Sequence, residues 1–320
     1  GLLNSDGSPT LLFLPWRTTA LALQGASFLG TFQLPNGSRN FVFQRDGRED
    51  VVMFIWNSEP VEETIYLGES TEVTAINLWG EQTRVATDPS TGRQILPVGP
   101  MPLVVRGCSK PLARWRLAMQ FESGRLASAT GIHQEHLLGR NTFPQGASGT
   151  VTLNAPSEWE VEPRSFPLQV AKGEAFRYPL QITLPPNATL GTVRMAIDVE
   201  LDADRKYKIR IYRPIQIGLG DVELVVVDRR LEDGFLKIEQ TLINKTSPTE
   251  ILDFEFSLFI PGSIRQKTIV PKQAAGESKK FYFVPHADRL KGQELWLRAE
   301  QINGRRVLNY RWVVGQSWND

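Results

Sequence analysis

The sequence predicts an all-β protein: three β-sandwich domains in series behind one short N-terminal helix. Two patterns predict it. After Gly25, apolar residues recur mostly at every second position, the period of a strand with one buried face. Gly, Pro, Asn and Asp interrupt these runs at the spacing usual for sandwiches. The length agrees, because 320 residues exceed one ordinary domain of ~100–200 residues.

The N-terminal segment is the exception to the strand pattern. Gly7-Ser8-Pro9 is turn chemistry, and Pro15 to Gln24 reads as a short helix. Proline suits a first helical turn, and Gly25 supplies a left-handed stop. Trp16, Ala20 and Leu23 recur at helical spacing and are the candidate docking residues. So short a helix must pack on something to persist.

The first sandwich is expected over 25–107. It holds the alternating Phe41 and Phe43, the continuous apolar run Val51 to Trp56, and strands at Thr64 to Leu67 and Val73 to Leu78. A Pro/Gly-rich stretch, 97–102, precedes a closing strand, Leu103 to Arg106, and a boundary near Gly107. The second is expected over 108–219. Phe176, Tyr178, Leu180, Ile182 and Leu184 share one face there, as do Val193, Met195, Ile197, Val199 and Leu201. The stretch carrying His133 and His136 reads as a loop. Gly218 to Gly220 is the expected joint to a third sandwich over 220–320. There Leu236, Ile238, Gln240 and Leu242 alternate, then Phe254, Phe256, Leu258 and Ile260, and Asn303-Gly304 signals a hairpin. No repeat of fixed sequence period connects the units.

Composition excludes several functions. There are 36 Lys and Arg against 35 Asp and Glu, a net charge of +1. Nucleic-acid binding relies on a basic excess, which is missing. The longest purely apolar run is about six residues against the ~20 of a membrane helix. A single cysteine, Cys108, allows no internal disulfide. No phosphate-binding loop or dinucleotide fingerprint is present, so no cofactor is expected.

Two stretches resemble known families. Trp159-Glu-Val-Glu-Pro163, Leu168-Gln-Val-Ala-Lys-Gly173-Glu and Leu184-Pro-Pro-Asn-Ala-Thr-Leu-Gly191 resemble, in this order, the immunoglobulin-like domain associated with bacterial alpha-galactosidases. Glu158 stands where that family usually has Gly. The segment Gly1 to Pro9 with its Trp-Arg helix resembles the last strand and helix of a TIM barrel. Phe28-Leu-Gly30, Val42-Phe43, Trp56-Asn57 and Asn77-Leu-Trp79-Gly80-Glu81 resemble the small sandwich that follows such barrels in glycoside hydrolases. The resemblance implies immunoglobulin-like sandwiches. It makes residues 1–24 the helical remnant of a preceding catalytic domain. It also implies a bacterial source and a secreted, periplasmic or cell-surface location. The expected role is non-catalytic: bracing or spacing a glycoside hydrolase, with a poly- or oligosaccharide as a further partner.

Two alternatives stand beside that role. A carbohydrate-binding or adhesion module would present Trp296, Tyr310, Trp312 and Trp318 to sugar rings, although large aromatics more often fill cores. A glycosidase would use Glu59 of Asn57-Ser-Glu-Pro60 as acid/base. Too few residues precede that motif for a barrel, and the strand after it breaks the required context. His133 and His136 form the candidate metal pair, three apart where helical zinc motifs use four. Cys108 has no identifiable catalytic partner and reads as a packed thiol.

Overall fold

A computed structural model describes residues 1–68, 73–218, 221–316 and 318. Strands dominate, and two immunoglobulin-like sandwiches follow a first sandwich of different order. Leu219 and Gly220 of the expected joint lie outside the described residues.

The first unit comprises α1 (Phe13–Leu23), β1 (Ala26–Gly30), β2 (Arg39–Arg45), β3 (Asp50–Trp56), β4 (Val61–Ile65), β5 (Thr74–Ile76), β6 (Gln82–Arg84), β7 (Ala86–Thr87), β8 (Gln94–Val98) and β9 (Leu103–Ser109). One sheet runs β1-β2-β3-β9-β5-β6 and the other β4-β8-β7. Val51, Met53, Ile55 and Val105 fill the core between them. Val52, Phe54, Ile76 and Val104 face the other way and pack against Ala22 of α1. The helix therefore covers the outer face of its own sheet. That explains why Val51 to Ile55 is apolar without alternation: β3 is buried on both faces.

α1 begins two residues earlier than the sequence predicts. Leu12 caps it without a side-chain bond, and Pro15 falls in the first turn, where amides have no intrahelical acceptor. Gly25 follows at φ +64°, a conformation glycine adopts without cost. The buried stripe is Thr18 and Ala22, not Trp16 and Ala20, which are exposed. In β2 the inward residues are Asn40 and Val42. Phe41 and Phe43 point outward, toward the helix side.

A second helix, α2 (Lys110–Ala118), joins the first two units, where the sequence predicts only the N-terminal helix. Ser109 caps it by accepting from the Leu112 amide, and Pro111 sits in its first turn. β9 runs through Gly107 to this cap, so the chain turns two residues beyond the expected boundary. Leu112, Ala113, Trp115 and Arg116 are buried.

The second unit comprises β10 (Gln120–Phe121), β11 (Arg125–Leu126), β12 (Ile132–Arg140), β13 (Ala147–Asn154), β14 (Glu160–Glu162), β15 (Ser165–Val170), β16 (Ala175–Thr183), β17 (Gly191–Asp202) and β18 (Lys206–Ile217). Its sheets run β10-β12-β16-β14 and β11-β18-β17-β13-β15. The third unit comprises β19 (Val222–Arg230), β20 (Leu236–Asn244), β21 (Leu252–Phe259), β22 (Gln266–Gln273), β23 (Gly276–Val284), a single helical turn α3 (Ala287–Leu290), β24 (Glu294–Gln301) and β25 (Val307–Val313). Its sheets run β19-β20-β23 and β22-β21-β24-β25.

Setting aside the short β11 and β14, the two units have one topology. The first, second and fifth strands form one sheet; the fourth, third, sixth and seventh form the other. This is an immunoglobulin-like Greek key whose fourth strand lies beside the third. The duplication shows in strand order rather than in residue identity, because many apolar sequences satisfy the same alternation. Each unit has its own core, one around Trp115, Phe143 and Ile197 and the other around Phe254, Phe256 and Leu297.

Candidate docking face

The outer face of the first sheet carries an aromatic ladder that α1 only partly covers. Phe28, Phe41 and Phe43 come from β1 and β2, and Phe54 and Trp56 from β3. Their ring centroids lie 5.9 Å (Phe28–Phe41), 5.6 Å (Phe28–Phe43), 5.8 Å (Phe43–Phe54) and 5.1 Å (Phe41–Trp56) apart. Antiparallel register places these residues together: Phe28 pairs with Phe43, and Phe41 with Phe54. Cross-strand aromatic neighbours add ~0.2–1 kcal/mol each to sheet stability.

Between this ladder and the helix lies an open groove of about 670 Å³. Leu12, Trp16 and Leu23 form its helical wall; Phe41, Trp56 and Pro102 lie opposite. Trp16 is 54% exposed, Leu12 65%, Phe28 58% and Phe41 45%. Leu11, Leu14, Leu21, Trp79 and Met101 are also exposed large apolar residues of this unit. Monomers usually scatter such residues singly, whereas Leu12, Trp16, Phe41 and Trp56 line one groove. Past Phe41 and Trp56 the surface continues into a more polar cleft of about 590 Å³, which includes Arg39, Thr192 and Arg194. Of the predicted docking residues, Trp16 and Leu23 line the groove, whereas Ala20 lies outside its lining.

The remaining candidate residues are dispersed. Trp296 has both ring faces covered. Phe259 stacks on one at 4.3 Å and 15°, and the Arg311 guanidinium lies 4.6 Å from the ring. Phe259 and Arg311 are its partners on the flanking strands, so they approach from opposite sides. The indole Nε1–H donates to Asn309. Tyr310 and Trp312 pair with Leu297 and Leu295 and pack against the core, on the sheet face opposite Trp296. Trp318 packs there too. The four aromatics therefore form no common platform for a sugar.

His133 and His136 lie on β12, not on a loop. Three residues apart on a regular strand, they point to opposite faces and hold no ion jointly. His133 Nε2 lies 3.1 Å from the Ala129 carbonyl, and His136 Nδ1 lies 2.9 Å from a Glu122 oxygen. No cluster of three His, Cys, Asp or Glu residues suited to a metal occurs among the described residues. Glu59 is exposed in the turn after β3, with its amide donating to Asn57 Oδ1. A glycosidase acid requires a desolvated pocket, which this turn does not provide. Cys108 is buried in the first core, and burial, reinforced by Asp50, pushes its thiol up to about 12.

Of the residues that line the groove or the ladder, the sequence singles out Trp16 and Leu23 as docking candidates and not Phe28, Phe41, Phe43 or Trp56. The unbroken apolar run of β3 was the available signal, since burial on both faces demands a cover outside the sheet.

No family model and no curated protein matches this chain. Among solved structures, it is similar to red sea bream transglutaminase: 11% identity over 60% of this chain and 30% of that one, TM-score 0.28. The chain thus spans about 30% of that enzyme's length. It is also similar to the E. coli chaperone DraB (12%, 61% and 96%, TM-score 0.21). A third is a glycosyl hydrolase family 2 member from Bacteroides cellulosilyticus (7%, 59% and 29%, TM-score 0.22). The immunoglobulin-like class rests on the strand order above rather than on these overlaps.

Proposed function

We propose that this chain is the non-catalytic β-sandwich region of a glycoside hydrolase-like protein. Its groove between α1 and the aromatic ladder seats a neighbouring catalytic domain. The observation that carries the docking role is the groove itself, open, apolar and rimmed by exposed Trp16, Leu12 and Phe41. The motifs over 159–191 and the order of those over 1–105 support the carbohydrate-active context. Covering the groove removes apolar surface from water at about 25 cal/mol per Å². The two Ig-like units would then space or orient what lies beyond them.

Sequencing the gene across Gly1 tests the reading first. A barrel-length stretch of about 200 residues or more, alternating strands with helices, is expected upstream. Expressed separately, that stretch should bind this chain saturably, and Trp16→Ser with Phe41→Ser should abolish the complex. A start codon directly before Gly1, or binding indifferent to both substitutions, overturns the proposal.

A further inference from the structure

We propose that the junction of the first and second units holds one chloride-sized inorganic anion, between Arg116 and Arg93. Arg116 lies in the last turn of α2 and is 4% exposed. Its Nη1 donates to the Arg210 carbonyl and its Nη2 to the Tyr66 carbonyl, but its Nε–H is buried with no acceptor. No carboxylate pairs with Arg116 or Arg93 among the described residues.

The neighbouring charges deepen the imbalance. Arg213 is largely buried and donates to the Arg116 and Met119 carbonyls at the C-terminal end of α2. Those carbonyls answer its charge in part. Asp198 is engaged elsewhere: Arg210 grips both its oxygens, and Asn154 donates to one. A buried cation without a counter-charge is among the costliest arrangements in a protein. Burial and the Arg213 charge push the Arg116 guanidinium down to about 9, and burial pushes Arg213 down to about 10.

A cavity sits where a counter-ion would relieve this. Its volume is about 20 Å³, and Gln33, Thr64, Arg93, Arg116, Arg210 and Tyr212 line it. A single water needs ~10–15 Å³, so the enclosed part of this space is of the size of one water or one halide ion. Side chains from both units meet there. An anion bound to both arginines therefore ties the first sandwich to the second.

The test is the melting temperature of the whole chain in sodium chloride against sodium gluconate at equal ionic strength. Gluconate is too large for the cavity. Chloride should raise the melting temperature by about 2–5 °C and saturate, as expected for a ligand that binds only the folded state. Arg116→Met removes the charge and should abolish the difference. Arg93→Gln, on the half-exposed rim, should weaken it while leaving the fold intact, and carries the test if Arg116→Met does not fold. In bromide-soaked crystals, anomalous density should lie between the two arginines. Equal melting in both salts, a chloride effect undiminished in Arg93→Gln, or density elsewhere overturns the proposal. The readout uses this chain alone, so its failure is distinct from failure of the docking role.

Discussion

Asn141 and Asn244 occupy one structural position in two successive sandwiches. In each, Oδ1 accepts from the amide two residues on, Phe143 at 2.9 Å and Thr246 at 3.0 Å. In each, Nδ2 donates to a carbonyl 29 residues downstream, Val170 at 3.2 Å and Gln273 at 3.1 Å. Both side chains are buried at the end of their domain's second strand and tie it to the end of the fourth. Asn141→Ala and Asn244→Ala should each destabilise their own unit by about 1–3 kcal/mol, because buried carbonyls lose their donors. The double variant should be additive within about 0.5 kcal/mol, since the sites share no partners. Urea unfolding with unit-specific probes checks both.

Gly139 and Phe176 are cross-strand neighbours in the second unit. They face each other across β12 and β16, and the Phe176 ring lies where a Cβ on Gly139 would be. Phe176 also reaches Trp115, with ring centroids 6.1 Å apart. Gly139→Ala must displace the ring and should cost about 1–3 kcal/mol, as overpacking does. Pairing it with Phe176→Leu should recover part of the loss; no recovery would show that the ring is not the obstacle.

Cys108 should be inert while the protein is folded. With its thiol near 12, the native state at pH 8 holds about a thousandfold less thiolate than an ordinary cysteine. The sign follows from the raised value. Below pH 9 both folded and unfolded thiols are protonated. As pH climbs from about 9 towards 12, the unfolded thiol ionises first and this contribution to stability is lost. Ellman's reagent should therefore label the protein only in denaturant; rapid native labelling contradicts the burial.

The groove has its own signature. Trp16→Ser and Phe41→Ser alter half-exposed rings, so each should change stability by no more than about 1 kcal/mol. Each should also lower the fluorescence of a bound apolar dye such as ANS. Unchanged dye binding would show that the groove is not the apolar surface the dye reports.

Trp296 separates packing from sugar contact. Its ring lies between Phe259 and Arg311, so Trp296→Ala should cost about 1–3 kcal/mol. Retardation in polysaccharide affinity gels should be unaffected. A saturable retardation lost in this variant would favour the carbohydrate-binding reading instead.

Strand identity was legible because alternation is a local property. The faces of β16, β17, β20 and β21 follow from which residues are apolar, and Asn303-Gly304 turns the last hairpin with Asn303 at φ +58°. α2 was missed because its nine residues mix Trp, Leu and Ala with charge, and its buried side includes Arg116, so no clean apolar stripe marks it. Its real signals were the Ser109 cap and Pro111, which act only once the chain leaves β9.

What the sequence by itself determined is therefore the class: antiparallel sandwiches, a short N-terminal helix, and a composition without a nucleic-acid or membrane-helix signature. Tertiary structure decided which way each apolar residue faces in β2, where α1 docks, and which arginines lose their solvent. The reason is physical. Periodicity sets the two faces of a strand, but only packing against another element decides which face meets water, protein or an uncompensated charge.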